Sequence, residues 1–190
     1  MTPPAVSIGD WARGGASPRI PDSVLASRDD EVPAQHTAAE LAIMLKLLRA
    51  ARATDISIGH GRHPASIAAA QALTHEWENS GGTVLTVTDW PRNAASWLRP
   101  AQRLTRHGPD AWVIADTPAG TAQLSRRLAQ QNTWSSARTF GFASADGVNL
   151  AGLAGPGILE GLTGPTETGL TWRLEVDGIR LIASPPARVR

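Results

Sequence analysis

The chain has 190 residues, 42% of them hydrophobic, with 18 basic and 17 acidic side chains and no cysteine. That length suits one domain with an ordinary core. A formal charge of +1 gives no electrostatic case for nucleic acid or an anionic membrane, and the lack of cysteine excludes a disulfide framework, a thiolate zinc site and a cysteine nucleophile.

Met1 to Arg19 holds prolines, glycines and Trp11 where a secretory signal needs a continuous apolar segment. No run approaches the roughly twenty apolar residues of a membrane helix, so the expectation is a cytoplasmic chain without membrane insertion. Lys46 is the only lysine. The arginines read as scattered, whereas a recognition surface would need them clustered.

Residues 1–36 show no helical or strand period and read as an irregular arm, from which Trp11 and Ile20 could dock on the domain or a partner. A single α/β domain is expected over 37–184, and 185–190 is a tail. Thr37-Ala38-Ala39-Glu40 is a capping-box pattern, and Leu41, Met44, Leu45 and Leu48 follow at helical spacing as a core-facing stripe.

From Asp55 to Gly161 one cycle recurs four times: a short apolar strand, a polar break, an amphipathic helix. The strands are Ile56 to Ile58, Val84 to Val87, Ala111 to Ala115 and Thr139 to Ala143. The breaks are Gly59 to Pro64, Asp89-Trp90-Pro91, Asp116-Thr117-Pro118 and Ser144-Ala145-Asp146-Gly147. This alternation predicts parallel β-α-β units in a three-layer, doubly wound, mainly parallel sheet. Ligands of such sheets sit at the carboxyl ends of the strands.

The third helix carries a conflict, since Pro100 would break an interior hydrogen bond of a helix begun at Asn93. Either the regular helix starts near Ser96 or it is kinked. Asn149 to Ala154 make a short helix. The tail then alternates through Leu170, Trp172, Leu174 and Val176, and Asp177-Gly178 before Ile179 predicts a β-hairpin.

The order of Gly81-Gly82-Thr83-Val84, Gly108-Pro109-Asp110-Ala111-Trp112-Val113, Asp116, Gly141-Phe142-Ala143-Ser144, Leu150 to Gly155 and Leu159-Glu160-Gly161 resembles the carboxyl-terminal lobe of type I periplasmic binding proteins. The likeness is to the branched-chain amino-acid group of ABC transporters and covers roughly residues 30–163. It implies a flavodoxin-like strand order and a half-cleft that a second lobe would close over an amino acid or similar solute. It also implies ligand positions. His63 stands where family members commonly carry an aromatic hydroxyl, and Arg92 to Ala95 stand where an acid often meets the ligand ammonium.

The candidate ligand-binding residues are His60, Arg62, His63, Asp89, Trp90, Arg92, Asp116, Thr117 and Ser144. Arg62, His63 and the amides of the helix opening at Pro64 suit an anion or carboxylate, although a solvated loop with a helix cap is the simpler explanation. His60, His63 and Asp116 are metal-ligand types at a spacing that matches no zinc signature, so no metal or other cofactor is expected. Trp90 and Trp97 are read as lining a cleft or interface, and Trp77 and Trp112 as core.

Three functions compete. The first is a non-catalytic module binding or sensing an amino-acid-like molecule or small carboxylate. The second is an assembly protein, a homo-oligomer or partner subunit, that kept the fold and lost the ligand. The third is a hydrolase or lyase pairing Asp89 with Asp116, which requires those carboxylates to face each other.

Overall fold

A computed structural model describes residues 20–21, 32–94, 96–145, 150–175 and 178–182. Within them the elements are α1 (Ala38–Ala50), β1 (Asp55–Gly61), α2 (Pro64–Asn79), β2 (Thr83–Trp90), α3 (Leu98–Thr105), β3 (Ala111–Ala115), α4 (Pro118–Leu128), β4 (Thr139–Gly141), α5 (Leu150–Ala154), β5 (Thr163–Pro165), β6 (Thr171–Glu175) and β7 (Gly178–Ile182). The strands form one sheet in the order β2-β1-β3-β4-β5-β6-β7. The first five are parallel and the last two antiparallel. The fold is therefore the expected α/β architecture, with the flavodoxin-like order over its parallel part.

Strand alternation sorts the core into two layers. Ile56, Ile58, Ala111, Val113, Ala115, Phe140 and Phe142 pack with Met44 and Leu48 of α1 and Leu73 and Trp77 of α2. On the opposite face Trp90, Trp112 and Ile114 pack with Leu104 of α3 and Leu124 and Leu128 of α4. Trp77 and Trp112 are core, as their positions in the pattern predict. A third cluster joins Trp172 of β6 to Leu150 and Leu153 of α5 and to Ile20. The Ile20 amide donates to Gln123 Oε1 at 2.7 Å, so this residue docks on the domain. Trp11 lies outside the described residues.

The strand boundaries differ from expectation where glycine is involved. Gly59-His60-Gly61, read as a break, continues β1, paired to β2 through Gly61 and to β3 through His60. The reason is space. A Cβ at Gly59 would lie 2.7 Å from the Trp90 ring, and one at Gly61 would collide with the Asp116 carboxylate. β2 likewise runs on through Asp89 and Trp90. β5 escaped the pattern because it is three residues long and contains Gly164, whose Cβ would collide with the Gly141 carbonyl and meet the Trp172 ring.

α3 resolves the Pro100 conflict by starting at Leu98. Proline then falls in the first turn, where a helix amide has no intrahelical acceptor to lose. In the hairpin, Glu175 pairs with Gly178, which has φ +130°. Val176 of the predicted strand, Asp177 of the predicted turn, and Asp146 to Asn149 lie outside the described residues.

The capping box forms as predicted: Thr37 Oγ1 accepts from the Glu40 amide at 3.1 Å, and Glu40 Oε2 accepts from the Thr37 amide at 3.2 Å. Glu40 also does something its local motif does not reveal. Its side chain is 2% exposed, and Oε1 accepts from the Ala143 amide at 2.7 Å. One carboxylate thus caps α1 and holds the chain leaving β4.

Glu40→Ala removes both acceptors and leaves the Ala143 amide unsatisfied, and should cost about 2 kcal/mol. Glu40→Gln keeps one acceptor and should cost less. Urea denaturation checks this, the expected result being a lower midpoint at unchanged m value.

Candidate functional site

The carboxyl ends of β1 to β4 come together along one edge of the sheet, and the sheet divides the candidate residues between its faces. On β1 and β3, Gly61 and Asp116 lie on the α3–α4 side, because a Cβ at Gly61 would run into the Asp116 carboxylate. Trp90 lies there too, its Nε1 donating to Asp116 Oδ2 at 2.6 Å. Asp89 precedes Trp90 in the same strand and so projects to the α1–α2 side. There Arg62 Nε donates to Asp89 Oδ2 in an ion pair whose side chains are 60% and 42% exposed. His60, paired in register with Asp89, lies on this side as well.

Asp89 and Asp116 therefore sit on opposite faces, and each is held by its own donor. The acid–base pair required by the hydrolase or lyase reading is not formed. Arg62 holds the Asp89 carboxyl below the usual carboxylate range, with His60 adding in the same direction.

Asp116 is a structural centre rather than an open ligand group. Its side chain is 8% exposed. Oδ2 accepts from Trp90, Oδ1 accepts from the Thr117 amide at 2.8 Å, and a Cβ at Gly120 would collide with the carboxylate. Thr117 is the N-cap of α4, with Oγ1 accepting from the Gly120 amide at 3.2 Å. Ser144 donates from Oγ to the Asp116 carbonyl at 3.2 Å, which joins the end of β4 to the end of β3. Burial pushes the Asp116 pKa up, opposed by the Trp90 and Thr117 hydrogen bonds and by the positive charge of His60 and Arg92.

Two aromatic expectations are corrected. Trp90 is fully buried and Trp97 is 6% exposed, so neither lines an open cleft. Their rings pack at 5.9 Å between centroids, inclined at 54°, under α3. The signal was present in Gly59: a glycine inside an apolar strand makes room for a large ring from its neighbour.

His63 serves as the N-cap of α2, its Nδ1 accepting from the Ala65 amide at 3.2 Å. That amide of the helix opening at Pro64 is therefore engaged. His60 Nδ1 lies 2.8 Å from the Gly61 carbonyl, which can only accept, so Nδ1 carries a proton there. The exposed candidates are Arg62, His63 and Arg92, with Asp89, His60, Thr117 and Ser144 half-buried. Among the described residues no group of three histidine, aspartate or glutamate side chains is placed to hold a metal ion.

No family model matches the chain, and no curated protein does. Solved structures match its fold. A substrate-binding periplasmic protein from Ralstonia solanacearum superposes with TM-score 0.60 and 18% identity, over 70% of this chain and 37% of that one. A leucine-binding protein from Thermotoga maritima gives 0.57 and 17%, over 66% and 35%. A solute-binding protein of an ABC transporter from Rhodopseudomonas palustris, solved with p-hydroxybenzoic acid, gives 0.57 and 15%, over 66% and 34%.

The structural neighbours are type I periplasmic binding proteins, and the chain spans about a third of their length. At these identities the likeness establishes the fold, an α/β arrangement found in the lobes of such proteins. The expectation of a cytoplasmic chain is corrected by the same finding, since the neighbours are named as periplasmic or extracellular binding proteins. No helix of the described residues is long and apolar enough to cross a membrane.

Two buried acids, Asp116 and Glu40, have folded pKa values raised mainly by desolvation. A raised carboxylate pKa means that the folded protein keeps a proton the unfolded chain has released. Their contribution to stability is thus greatest below the ordinary carboxylate range of roughly pH 4 and is lost as pH rises through the folded values. Asp89 and Asp110, whose values are lowered, act oppositely and below that range.

Asp116→Asn should make the fall in stability above roughly pH 4 shallower in chemical denaturation across pH. It should also lower stability at neutral pH by about 1–3 kcal/mol, because its amide NH2 must face either the Trp90 or the Thr117 N–H. Trp90→Phe removes a donor from the buried carboxylate and leaves space beside it. A loss of about 3 kcal/mol is expected, with a steeper decline as pH rises.

Proposed function

We propose that this chain is a non-catalytic binding module whose ligand surface is the carboxyl edge of the sheet. In this reading the ligand is a small carboxylate. The observation that carries it is the Arg62–Asp89 pair at the ends of β1 and β2, with His60 beside it in register. Cations outnumber acids on the accessible part of this edge: Arg62 and Arg92 are exposed, whereas Asp89 is half-buried and paired and Asp116 is buried. A guanidinium held by one carboxylate retains N–H donors for a second, in the planar geometry that suits bidentate recognition.

The neighbours support the class of function. They are ligand-binding proteins of transporters, one of them solved with an aromatic carboxylate. The position that resemblance assigns to the ammonium-binding acid holds Arg92 and its successors here. That substitution favours a carboxylate without an α-amino group over a free amino acid. In this reading the buried Trp90 and Asp116 hold the edge in shape, and Arg62, His63, Arg92 and His60 contact the ligand.

Calorimetry with a panel of aliphatic and aromatic monocarboxylates and free amino acids tests this. Saturable binding of at least one carboxylate is expected, weakened about tenfold or more in Arg62→Gln, with amino acids binding less well. Failure of the whole panel to bind the folded protein, or equal binding by Arg62→Gln, would defeat the reading.

A further inference from the structure

A second cationic surface lies on α3, away from the residues discussed so far. Arg99, Arg103 and Arg106 follow at i, i+4 and i+7, which places them on one side of the helix and its cap. With Gln102, Thr105 and Gln131 they line a groove of about 340 Å³. Thr105 forms its floor: it is 8% exposed and its hydroxyl donates to the Ala101 carbonyl at 3.0 Å. Gln131 reaches it from just beyond α4. The opposite side of α3, through Ala101 and Leu104, is buried in the core, so the arginine side is the one left to solvent.

The groove is lined by cations and neutral polar groups and by no carboxylate. Among the described residues none of the three arginines forms an ion pair. Like charges at i, i+3 and i+4 spacing on one side of a helix disfavour it slightly. The helix dipole offsets this for Arg103 and Arg106 near the carboxyl end. It opposes Arg99, which sits in the first turn where an acid is favoured. Packing and helix stability therefore do not account for this trio.

We propose that the α3 groove is a binding site for a small, multiply charged anion carrying phosphate or carboxylate groups. Its volume is at the lower end of small-molecule sites and fits a diphosphate, a triphosphate or a tricarboxylate. Three guanidiniums match three anionic groups through charge-assisted, bidentate hydrogen bonds. Gln102 and Gln131 supply both donors and acceptors at the rim. The chain's net charge of +1 brings no general attraction for polyanions, so the affinity resides in this local cluster. The site is separate from the carboxyl edge and takes a more highly charged ligand.

Titration calorimetry of the full chain with pyrophosphate, tripolyphosphate and citrate at 150 mM salt tests the proposal. One-to-one saturable binding of at least one probe is expected. Arg103→Gln should weaken it at least tenfold, and the Arg99→Gln/Arg103→Gln/Arg106→Gln variant should abolish it. That variant's circular dichroism and melting should stay near those of the parent, since all three side chains face solvent. Arg62→Gln should leave this binding unchanged, which separates it from the carboxyl-edge site. No binding by any probe, equal binding by the triple variant, or binding present only at low salt would overturn the proposal. A short DNA duplex that binds through the same arginines while all three small anions fail would also overturn it, and reassign the groove to nucleic acid.

Discussion

The carboxyl edge depends on one buried carboxylate. Asp116 lies where β3 gives way to α4 and meets the Trp90 indole, the Thr117 amide and the space left by two glycines. Those contacts join β2, β3 and the start of α4 at a point where parallel strands would otherwise splay. Desolvating a carboxylate is costly, and only hydrogen bonds to its oxygens make it tolerable. The arrangement explains several residues together. Gly61 and Gly120 leave room for the carboxylate, Gly59 leaves room for the indole, and Trp97 closes the far side of the indole. Replacement at any of these positions disturbs the others, because they occupy one contiguous space.

Glu40 plays a matching part across the sheet. It belongs to α1 and holds the Ala143 amide just after β4, while Asp116 and Ser144 hold the end of β3 to the same stretch of chain. Two acids, one on each face of the sheet, therefore fix the loops that form the edge. Arg62, His63 and Arg92 remain exposed on that edge.

Much of this was legible in the sequence, and the parts that were not share a cause. Strand and helix alternation, the Thr37 cap and the core tryptophans Trp77 and Trp112 follow from periodicity and local chemistry, which act within a few residues. The capping box at Thr37 and Glu40 was visible, whereas the bond from Glu40 to Ala143 spans 103 residues and has no local signal. Trp90 was misread for a similar reason. A tryptophan between Asp89 and Pro91 looks like an exposed anchor until Gly61 is known to be its partner in register and Gly59 to leave room for its ring. The arginines looked scattered because three of them are spread over eight positions of sequence. Helical spacing at i, i+4 and i+7 gathers them, once α3 is known to start at Leu98 and run unkinked through Pro100.

Charge placement links the two layers to the choice of ligand. A carboxyl edge with Asp89 and Asp116 both open would be close to neutral against Arg62 and Arg92, and would suit a zwitterion. The fold removes that balance by burying Asp116, whose pKa burial raises, while Arg62 and Asp89 neutralise each other on the other face of the sheet. On the proposed reading, two arginines face one accessible aspartate at this edge, so the desolvation that makes Asp116 a structural residue also biases the edge toward anions. A binding surface can thus change the charge of its preferred ligand by burying an acid rather than by adding a base.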